Sequence, residues 1–168
     1  PRRSILIEKC SLINNMIQLS VPEDFNAWLA LAGEVEHLFG PMCDIPEFHN
    51  ALKSAISESR AFCVKSCIAG KLTTLEGGIV ISHSPNTIAW LAVARSSQNQ
   101  GIGSALLAHA LSRFHEQGPV YVQTFAPSCP EGFSARKLYL RAGFTDCEPQ
   151  EPTPAGVPTV LMVRKEKG

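Results

Sequence analysis

The apolar positions in the middle of the chain fall into three runs that are rich in β-branched residues and separated by short turn sequences. This pattern predicts an antiparallel meander of three strands at residues 61–66, 72–82 and 87–94. Gly77 and Gly78 lie in the middle of the second strand, although glycine is a poor strand former. We therefore expect either a β-bulge there or the close approach of a ligand to the backbone.

Further apolar runs at residues 120–125, 144–147 and 159–164 predict three more strands after the meander. A helical stretch connects the strand at 87–94 to the strand at 120–125, so these two strands are expected to lie parallel to each other. The last two strands bracket a proline-rich turn. The pattern as a whole predicts an α/β protein with a mixed sheet.

Three stretches of the chain show apolar residues at the spacing of a helix with one buried face. Their apolar faces consist of Phe25, Trp28, Leu29 and Ala32; of Phe48, Ala51, Leu52 and Ala55; and of Leu107, Ala110, Leu111 and Phe114. Ser20 and Asp44 precede the first two stretches, each with a proline and an acid shortly after it, which is typical of capped helix starts. Gly118 and Pro119 end the third helix.

Two glycines and several small polar residues separate the strand at 87–94 from the third helix. Such a turn leaves backbone N–H groups open at a helix N-terminus, which makes it a candidate anion site. A nucleotide-binding P-loop is rejected, because Ser104 and Ala105 stand where its Lys-Ser/Thr pair would follow the last glycine. A dinucleotide turn is disfavoured, because Leu106 replaces its third glycine and no acidic residue stands out downstream.

A third interpretation of this turn rests on the pattern Gln-x-x-Gly-x-Gly, which Gln98, Gly101 and Gly103 form. Downstream, residues 135–144 form the pattern Ala-x-x-Leu-Tyr-x-x-x-Gly-Phe. The first motif resembles the acetyl-CoA pyrophosphate loop of the GNAT superfamily of N-acetyltransferases, and the second resembles the family's second helix. The two motifs also follow each other in the family's order. The resemblance is specific from residue 79 to residue 144.

The resemblance implies the GNAT fold, a central mixed sheet of about seven strands flanked by about four helices. The predicted element order, β-α-α-β-β-β-α-β-α-β-β, matches that fold. Residues 16–24 are similar to the family's first strand and helix start, whereas residues 1–15 have no obvious counterpart in the family. We therefore expect an N-terminal extension at 1–15 and a single acetyltransferase domain at 16–168.

The family's reaction is the direct attack of an unprotonated amine on the thioester of acetyl-CoA, with both substrates bound together and no covalent enzyme intermediate. By resemblance, the strand at Leu91, Ala92 and Val93 splays away from the strand at 120–125, and the gap holds the pantetheine arm of the cofactor. A main-chain N–H at or near Val93 then polarises the thioester carbonyl. Loss of such a donor typically costs about 3 kcal/mol of transition-state stabilisation.

The resemblance assigns the cofactor's pyrophosphate to the backbone of the turn and to the dipole of the following helix. The residues so assigned are Gln98, Asn99, Gln100, Gly101, Ile102, Gly103 and Ser104. Gln98 stands where many relatives carry arginine. Gly132 stands where the family favours asparagine, so we expect Ser128 or Ser134 to supply the missing polar contact with the cofactor.

Tyr139 matches the family tyrosine that protonates the departing thiolate. With ordinary pKa values, complete proton transfer from tyrosine to a thiolate is uphill by about 2 kcal/mol, so a hydrogen bond that strengthens as the sulfur gains charge is the expected role. The alternative is that Tyr139 only packs beside Leu138.

Several residues are compatible with the role of general base, and the sequence does not select one of them as clearly as it selects the turn or Tyr139. Glu34, Glu36, Glu76 and His83 are the candidates, and each is also compatible with a solvated surface position. We select Glu36, because residues 36–41 combine ionisable and aromatic groups in a loop-like stretch that borders the acceptor site in relatives. Water relays can also remove the proton, so the reaction does not require a base from the protein.

Composition restricts the class of partner. The 168 residues include fifteen basic and fifteen acidic side chains, and this balance argues against a nucleic-acid partner. The chain contains neither an apolar run of membrane-spanning length nor the features of a secretion signal in residues 1–15, so we expect a cytoplasmic protein without a membrane partner.

The six cysteines are expected to be buried or idle thiols. Cys63 and Cys67 would share one face of a strand, but a second pair of zinc ligands is missing, so no metal is expected.

These observations predict an acetyl-CoA-dependent N-acetyltransferase that acts on a primary amine of a small molecule or of a peptide N-terminus. The alternative is a non-catalytic acyl-CoA-binding module that keeps the turn but not the chemistry. Gly132 and the missing base support the alternative, whereas Tyr139 argues against it. The acceptor, and whether the chain forms a homodimer, are left open.

Overall fold

The structure is a computed structural model that describes Glu8 and residues 11–66, 74–114 and 117–166. In this part of the chain, the strands are β1 (Ile17–Leu19), β2 (Ala61–Ser66), β3 (Thr74–Ser82), β4 (Thr87–Val93), β5 (Val120–Phe125), β6 (Thr145–Gln150) and β7 (Thr159–Arg164). The helices after β1 are α1 (Phe25–Gly33), α2 (Glu36–Phe39), α3 (Pro46–Ser57), α4 (Ile102–Leu111) and α5 (Phe133–Arg141).

The seven strands form one sheet in the order β1-β2-β3-β4-β5-β7-β6. β2, β3 and β4 form the predicted antiparallel meander, and β5 lies parallel to β4. α4 is the crossover that makes this one pair parallel, because a tight hairpin can join only antiparallel neighbours. The mixed sheet and the antiparallel meander of the sequence analysis are thereby confirmed.

Each face of the sheet carries its own apolar core. α1 and α3 cover one face with a cluster that includes Trp28 and Leu52, both almost fully buried. α4 and α5 cover the other face with a cluster that includes Leu106, Tyr139 and Phe144. Among the described residues, no helix is both long enough and apolar enough to cross a bilayer.

Gly77 and Gly78 provide room for side chains of the protein itself. A Cβ atom on Gly78 would overlap the Trp28 ring, and one on Gly77 would lie 2.8 Å from Ile102. The register between β2 and β3 also shifts beside Gly77, which leaves Glu76 as an extra residue in β3. The predicted bulge is therefore present, and the close approach to the backbone comes from helix side chains rather than from a ligand.

The predicted caps of the first two helices are wrong. The Ser20 hydroxyl accepts a hydrogen bond from the Trp28 indole at 2.9 Å, and it is the Asp24 carboxylate that accepts the Val21 N–H at 2.8 Å. α3 begins at Pro46 without a side-chain cap among the described residues, because Ile45 rather than Asp44 precedes it.

Two predicted boundaries also differ. α4 ends at Leu111, so Phe114 lies beyond the helix, and it contacts His83 edge to face at 5.8 Å. β6 continues to Gln150 and thus contains Pro149, which the sequence analysis placed in a turn. A proline is tolerated there because β6 is an edge strand, whose outer N–H groups need no strand partner.

The predicted N-terminal extension is described only in part, since residues 1–7, 9 and 10 lie outside the described residues. Residues 11–14 are helical, and Ile13 packs against the core on the α4 side. Its Cδ1 atom would lie 3.7 Å from a Cβ atom on Gly101. The last turn of this segment therefore lies beside the glycine turn.

Candidate active site

The parallel strands β4 and β5 separate soon after they begin. In the described chain, their ladder is confined to Thr87 and Ile88 of β4 with Tyr121 and Val122 of β5. Both strands continue for several more residues, so their ends face each other across a gap. This gap agrees with the splay that the resemblance implies.

The hydrogen bonds on the far side of β4 show which main-chain groups line the gap. The Ala94 N–H donates to the Glu76 carbonyl of β3 at 2.8 Å. Consecutive residues of a strand direct their N–H groups to opposite edges. Val93, and Leu91 two residues before it, therefore direct their N–H groups toward the gap.

The same argument applies to β5. The Ala126 N–H donates to the Pro158 carbonyl on the β7 side at 2.9 Å, so Phe125 directs its N–H and carbonyl toward the gap. Two strand edges whose main-chain groups have no strand partner among the described residues can hold an extended chain that carries amides, as a third strand would. The pantetheine arm of coenzyme A is a chain of this kind.

The turn that follows β4 presents an open helix N-terminus. Asn99 and Gly101 adopt left-handed backbone angles, with φ of +62° and +86°. No described side chain caps α4, and the first helical bond runs from the Ala105 N–H to the Gly101 carbonyl at 3.1 Å. The N–H groups of residues 102–104 therefore have no acceptor within the helix, and together with the helix dipole they form an anion site.

The residues of the turn divide by exposure. The exposed ones are Gln98, Asn99, Gln100, Gly101 and Ser104. Ile102 is buried with its side chain against Gly77, so it can offer only its N–H to a ligand. A Cβ atom on Gly103 would lie 3.5 Å from Val93 and 3.4 Å from Leu138, where α4, β4 and α5 meet.

Tyr139 lies on the buried side of α5, with 4% of its surface exposed. Its ring packs edge to face against Phe144 at 5.6 Å between centroids. Burial raises the pKa of the Tyr139 phenol, so the hydroxyl is neutral at physiological pH and can donate a hydrogen bond. Burial of the ring is common to both interpretations of Tyr139, as the acid and as a packing residue.

The structure explains why position 132 carries glycine and not the asparagine that the family favours. A Cβ atom on Gly132 would overlap the Cβ of Phe125, so an asparagine cannot occupy this position without a backbone shift. Ser134 is exposed on α5, and Ser128 is exposed in the turn before it. Gly132 therefore allows the start of α5 to lie directly against the end of β5.

α2 and the segment between β6 and β7 stand beside the end of β5. The Phe39 ring packs against Phe125 with centroids 5.0 Å apart. The Thr153 hydroxyl donates to the Leu38 carbonyl at 2.6 Å, and Pro154 packs against Gly40. These contacts join α2 to residues 151–158, next to the end of the gap.

Glu36 has a structural role in this region. Its Oε1 atom accepts the backbone N–H groups of Met42 at 3.0 Å and of Cys43 at 2.7 Å. Hydrogen bonds from Cys43 and from the Met42 N–H lower the pKa of the Glu36 carboxyl. A less basic carboxylate whose oxygen is already engaged is a poor proton acceptor, so the geometry argues against Glu36 as the general base.

The other candidate bases are spread around β4. Glu34 Oε2 accepts the backbone N–H of Arg95 at 3.1 Å, just beyond the end of β4. Glu76 is the bulged residue of β3 opposite the same end. His83 lies in the hairpin between β3 and β4, at the opposite end of β4 from Val93.

The described cysteines show no sign of activation. Burial, followed by the hydrogen bond to Glu36, raises the pKa of the Cys43 thiol to about 11. Burial also raises the pKa of Cys63 and Cys129, whereas Cys147 is exposed. Cys10 and Cys67 lie outside the described residues. Within the described ranges, no group of three or more His, Cys, Asp or Glu side chains could hold a metal ion.

Sequence reasoning missed Arg136. This residue belongs to the second motif, yet it is 8% exposed and makes a bidentate ion pair with Asp146 of β6, at 2.9 and 2.8 Å. It also donates to the Phe125 carbonyl at 3.3 Å. A charge beside the apolar face of α5 was the available signal, but its partners are distant in sequence and become neighbours only in the folded sheet.

Comparison with known proteins identifies the family. The family model "Acetyltransferase (GNAT) domain" matches residues 59–146, more than half of the chain. A search of curated proteins gives no match. The chain therefore belongs to the GNAT acetyltransferase family on the strength of the family model, and the resemblance of its two motifs is confirmed.

Solved structures show the same fold. A GNAT-family acetyltransferase from Bacillus cereus superposes with a TM-score of 0.66 at 17% identity, over 90% of this chain and 97% of that one. The NatC complex bound to Gag peptide and CoA gives 0.69 at 15% identity, over 90% and 98%. Ribosomal-protein-alanine N-acetyltransferase from Brucella melitensis gives 0.67 at 17% identity, over 89% and 98%. The GNAT fold is thereby confirmed.

Proposed function

We propose that the chain is an acetyl-CoA-dependent N-acetyltransferase that transfers the acetyl group to a primary amine by direct attack in a ternary complex. The observation that carries this proposal is the gap between β4 and β5, whose edges have no strand partner there in the described chain, and which opens beside the uncapped N-terminus of α4. An elongated molecule with amides at one end and phosphates at the other matches both features.

In this proposal, the pantetheine arm bonds to the main chain of Leu91, Val93 and Phe125. The N–H at or near Val93 polarises the thioester carbonyl as negative charge develops on its oxygen. The pyrophosphate lies at the N–H groups of residues 99–104, where the dipole of α4 contributes roughly half a positive charge. Ala92 directs its side chain to the opposite core, so its contribution is to the strand rather than to the cofactor.

Tyr139 is the proposed acid. A buried phenol with a raised pKa stays protonated and is a weaker acid than a free phenol, so its proposed role is a hydrogen bond to the sulfur that strengthens as the carbon–sulfur bond breaks and the sulfur gains charge. We propose no general base from the protein; water relays along the polar edge of the site remove the amine proton.

The acceptor enters, in this proposal, between α2 and residues 151–158, which are joined to each other beside the end of β5. Two structural relatives are the NatC complex bound to Gag peptide and CoA and a ribosomal-protein-alanine N-acetyltransferase, which supports a peptide N-terminus as acceptor beside a small-molecule amine. We place the reaction in the cytoplasm and leave the oligomeric state open.

A second candidate is the acyl-CoA-binding module without catalysis. It is favoured by one observation, namely that Gly132 has no space for the family's asparagine side chain. An acceptor panel separates the two candidates. Wild-type protein is incubated with acetyl-CoA and with peptides of different N-terminal residues or small amines, and free thiol is measured together with the mass of each amine. The proposal predicts equal amounts of thiol and N-acetylated product; binding of CoA without either product favours the module.

A further inference from the structure

Arg136 contacts the end of β5, which borders the gap between β4 and β5. It lies on α5 three residues before Tyr139, and 9% of its side-chain surface is exposed. The same nitrogen, Nη1, donates both to Asp146 Oδ1 and to the carbonyl of Phe125. One side chain therefore connects α5, the edge strand β6 and the end of β5.

The Phe125 carbonyl is one of the main-chain groups that face the gap, because the Ala126 N–H bonds on the β7 side. β5 has no strand partner on its gap edge beyond Val122 in the described chain. On its other edge, the end of β5 is paired with Thr159 of β7, and contacts with α5 fix it from the face of the sheet. Arg136 supplies a polar one, and the packing of Gly132 on Phe125 supplies a steric one.

Gly132 and Arg136 are one helical turn apart and both act on Phe125. We propose that Arg136 is a positioning residue for the acetyl-CoA site: it fixes the end of β5, whose gap edge has no strand partner in the described chain, relative to α5, and thereby keeps the gap at the width that the pantetheine arm needs. This inference rests on the proposed function. It assigns Arg136 no contact with the reacting atoms.

The geometry separates two roles of the guanidinium. The ion pair with Asp146 joins α5 to β6, which lies two strands away from the gap, whereas the bond to Phe125 acts at the gap itself. Arginine serves both because Nη1 reaches Asp146 Oδ1 and the Phe125 carbonyl together, while Nη2 completes the ion pair with Asp146. A lysine side chain is one bond shorter than arginine, so its ammonium can pair with the Asp146 side chain, which can turn toward it, but falls short of the main-chain carbonyl of Phe125.

Four variants test this assignment through two measurements, the melting temperature and the Kd for CoA by calorimetry. Arg136→Met removes both contacts, Arg136→Lys keeps the charge pair, and Asp146→Asn keeps the bond to Phe125. Lys65→Met is the control, because it removes a poorly exposed cation from another ion pair, Lys65 with Asp24 at 2.9 Å, on β2 and two strands away from β4.

We expect CoA to bind about tenfold more weakly to Arg136→Met and Arg136→Lys, since small misplacements within a binding site typically have effects of this size or larger. Asp146→Asn and Lys65→Met lose melting temperature but keep the wild-type Kd. Should Arg136→Met fail to fold, Arg136→Lys carries the test, because it retains the charge pair.

Three results overturn the assignment. Wild-type affinity in Arg136→Lys shows that the site needs no bond at Phe125. A Kd that follows the melting temperature across all four variants shows a role in stability alone. A wild-type protein that binds no CoA contradicts the proposed function, and the role of Arg136 with it; in the first two cases only the role of Arg136 fails.

Discussion

Gly132 and Phe125 are packed so closely that a side chain at position 132 would overlap the Cβ atom of Phe125. The Cβ of Phe125 cannot move without its strand, so a larger residue at position 132 must displace either β5 or the start of α5. The absence of a side chain at this position is thus part of how the two elements fit together.

Gly132→Ala is therefore expected to lower the free energy of unfolding by about 1–3 kcal/mol, the usual effect of overpacking. Gly132→Asn restores the residue that the family favours and is expected to be at least as destabilising. Denaturant unfolding measures both. Gly33→Ala is the matched control: among the described residues its Cβ would meet only the Cys43 sulfur, at 3.5 Å, and alanine in a helix is more stable than glycine by up to about 1 kcal/mol. Unchanged stability in Gly132→Ala would contradict the packing argument.

Gly101 tests the anion site. Gly101→Ala places a side chain at φ +86° and is expected to lower the free energy of unfolding by about 1–2 kcal/mol. It should also weaken CoA binding about tenfold, because the strain displaces N–H donors and a hydrogen bond to a charged group contributes about 1.5–3 kcal/mol.

Gly156→Ala is the control for Gly101→Ala, since Gly156 has a similar φ of +82° and an added Cβ would meet no atom of the described residues within 4 Å. This variant should lose comparable stability without losing affinity for CoA. If Gly101→Ala and Gly156→Ala bind CoA with equal affinity, the turn is not part of the cofactor site.

Tyr139→Phe separates the acid from the packing residue. The ring is retained, so the free energy of unfolding should change by at most about 1 kcal/mol, the net value of one hydrogen bond. If the hydroxyl protonates the thiolate, turnover should fall by roughly a hundred- to ten-thousand-fold at nearly unchanged affinity for acetyl-CoA. Tyr121→Phe removes the chain's other tyrosine hydroxyl and serves as control. Undiminished turnover in Tyr139→Phe, measured where chemistry is rate-limiting, would leave Tyr139 as a packing residue.

Glu36→Gln tests whether Glu36 is structural. The pKa of Glu36 is lowered in the folded protein, so its interactions stabilise the fold above the pKa of the unfolded chain and are lost as the pH falls through the folded value. The variant should therefore be less stable than wild type near pH 7, and the difference should shrink below about pH 4.5, the ordinary value for a glutamate. Thermal unfolding against pH measures this, with the exposed Glu47→Gln as control. A loss of turnover with no such pH-dependent difference in stability would restore Glu36 as the base.

The sequence predicted the elements that carry strong local patterns. The meander, the crossover helix and the glycine turn could be predicted because the period of apolar residues and the positions of glycines are local features of the sequence. The cap at Ser20 was predicted incorrectly because the Ser20 hydroxyl bonds to the indole of Trp28 in α1. The sequence pattern of a cap is the same whether the serine bonds to a backbone N–H or to a side chain of the helix. α2 was missed because four residues are too short to show a helical period.

The same division applies to the candidate site: its short motifs could be predicted from the sequence, but its contacts between distant elements could not. The turn and Tyr139 belong to short motifs, whereas the contacts of Arg136 with Asp146 and Phe125 form only when three elements meet. Glu36 was selected for its surroundings in sequence, but in the folded chain its carboxylate satisfies backbone N–H groups that the sequence could not place beside it.

The most direct test of the central claim, that the gap between β4 and β5 is the cofactor slot, is amide hydrogen exchange resolved by residue with and without CoA. The account predicts slower exchange at Leu91, Val93 and Phe125 and in residues 99–104 when CoA is bound, and no such change with NAD. Protection elsewhere that leaves these amides unchanged, or the same protection with NAD, would contradict it.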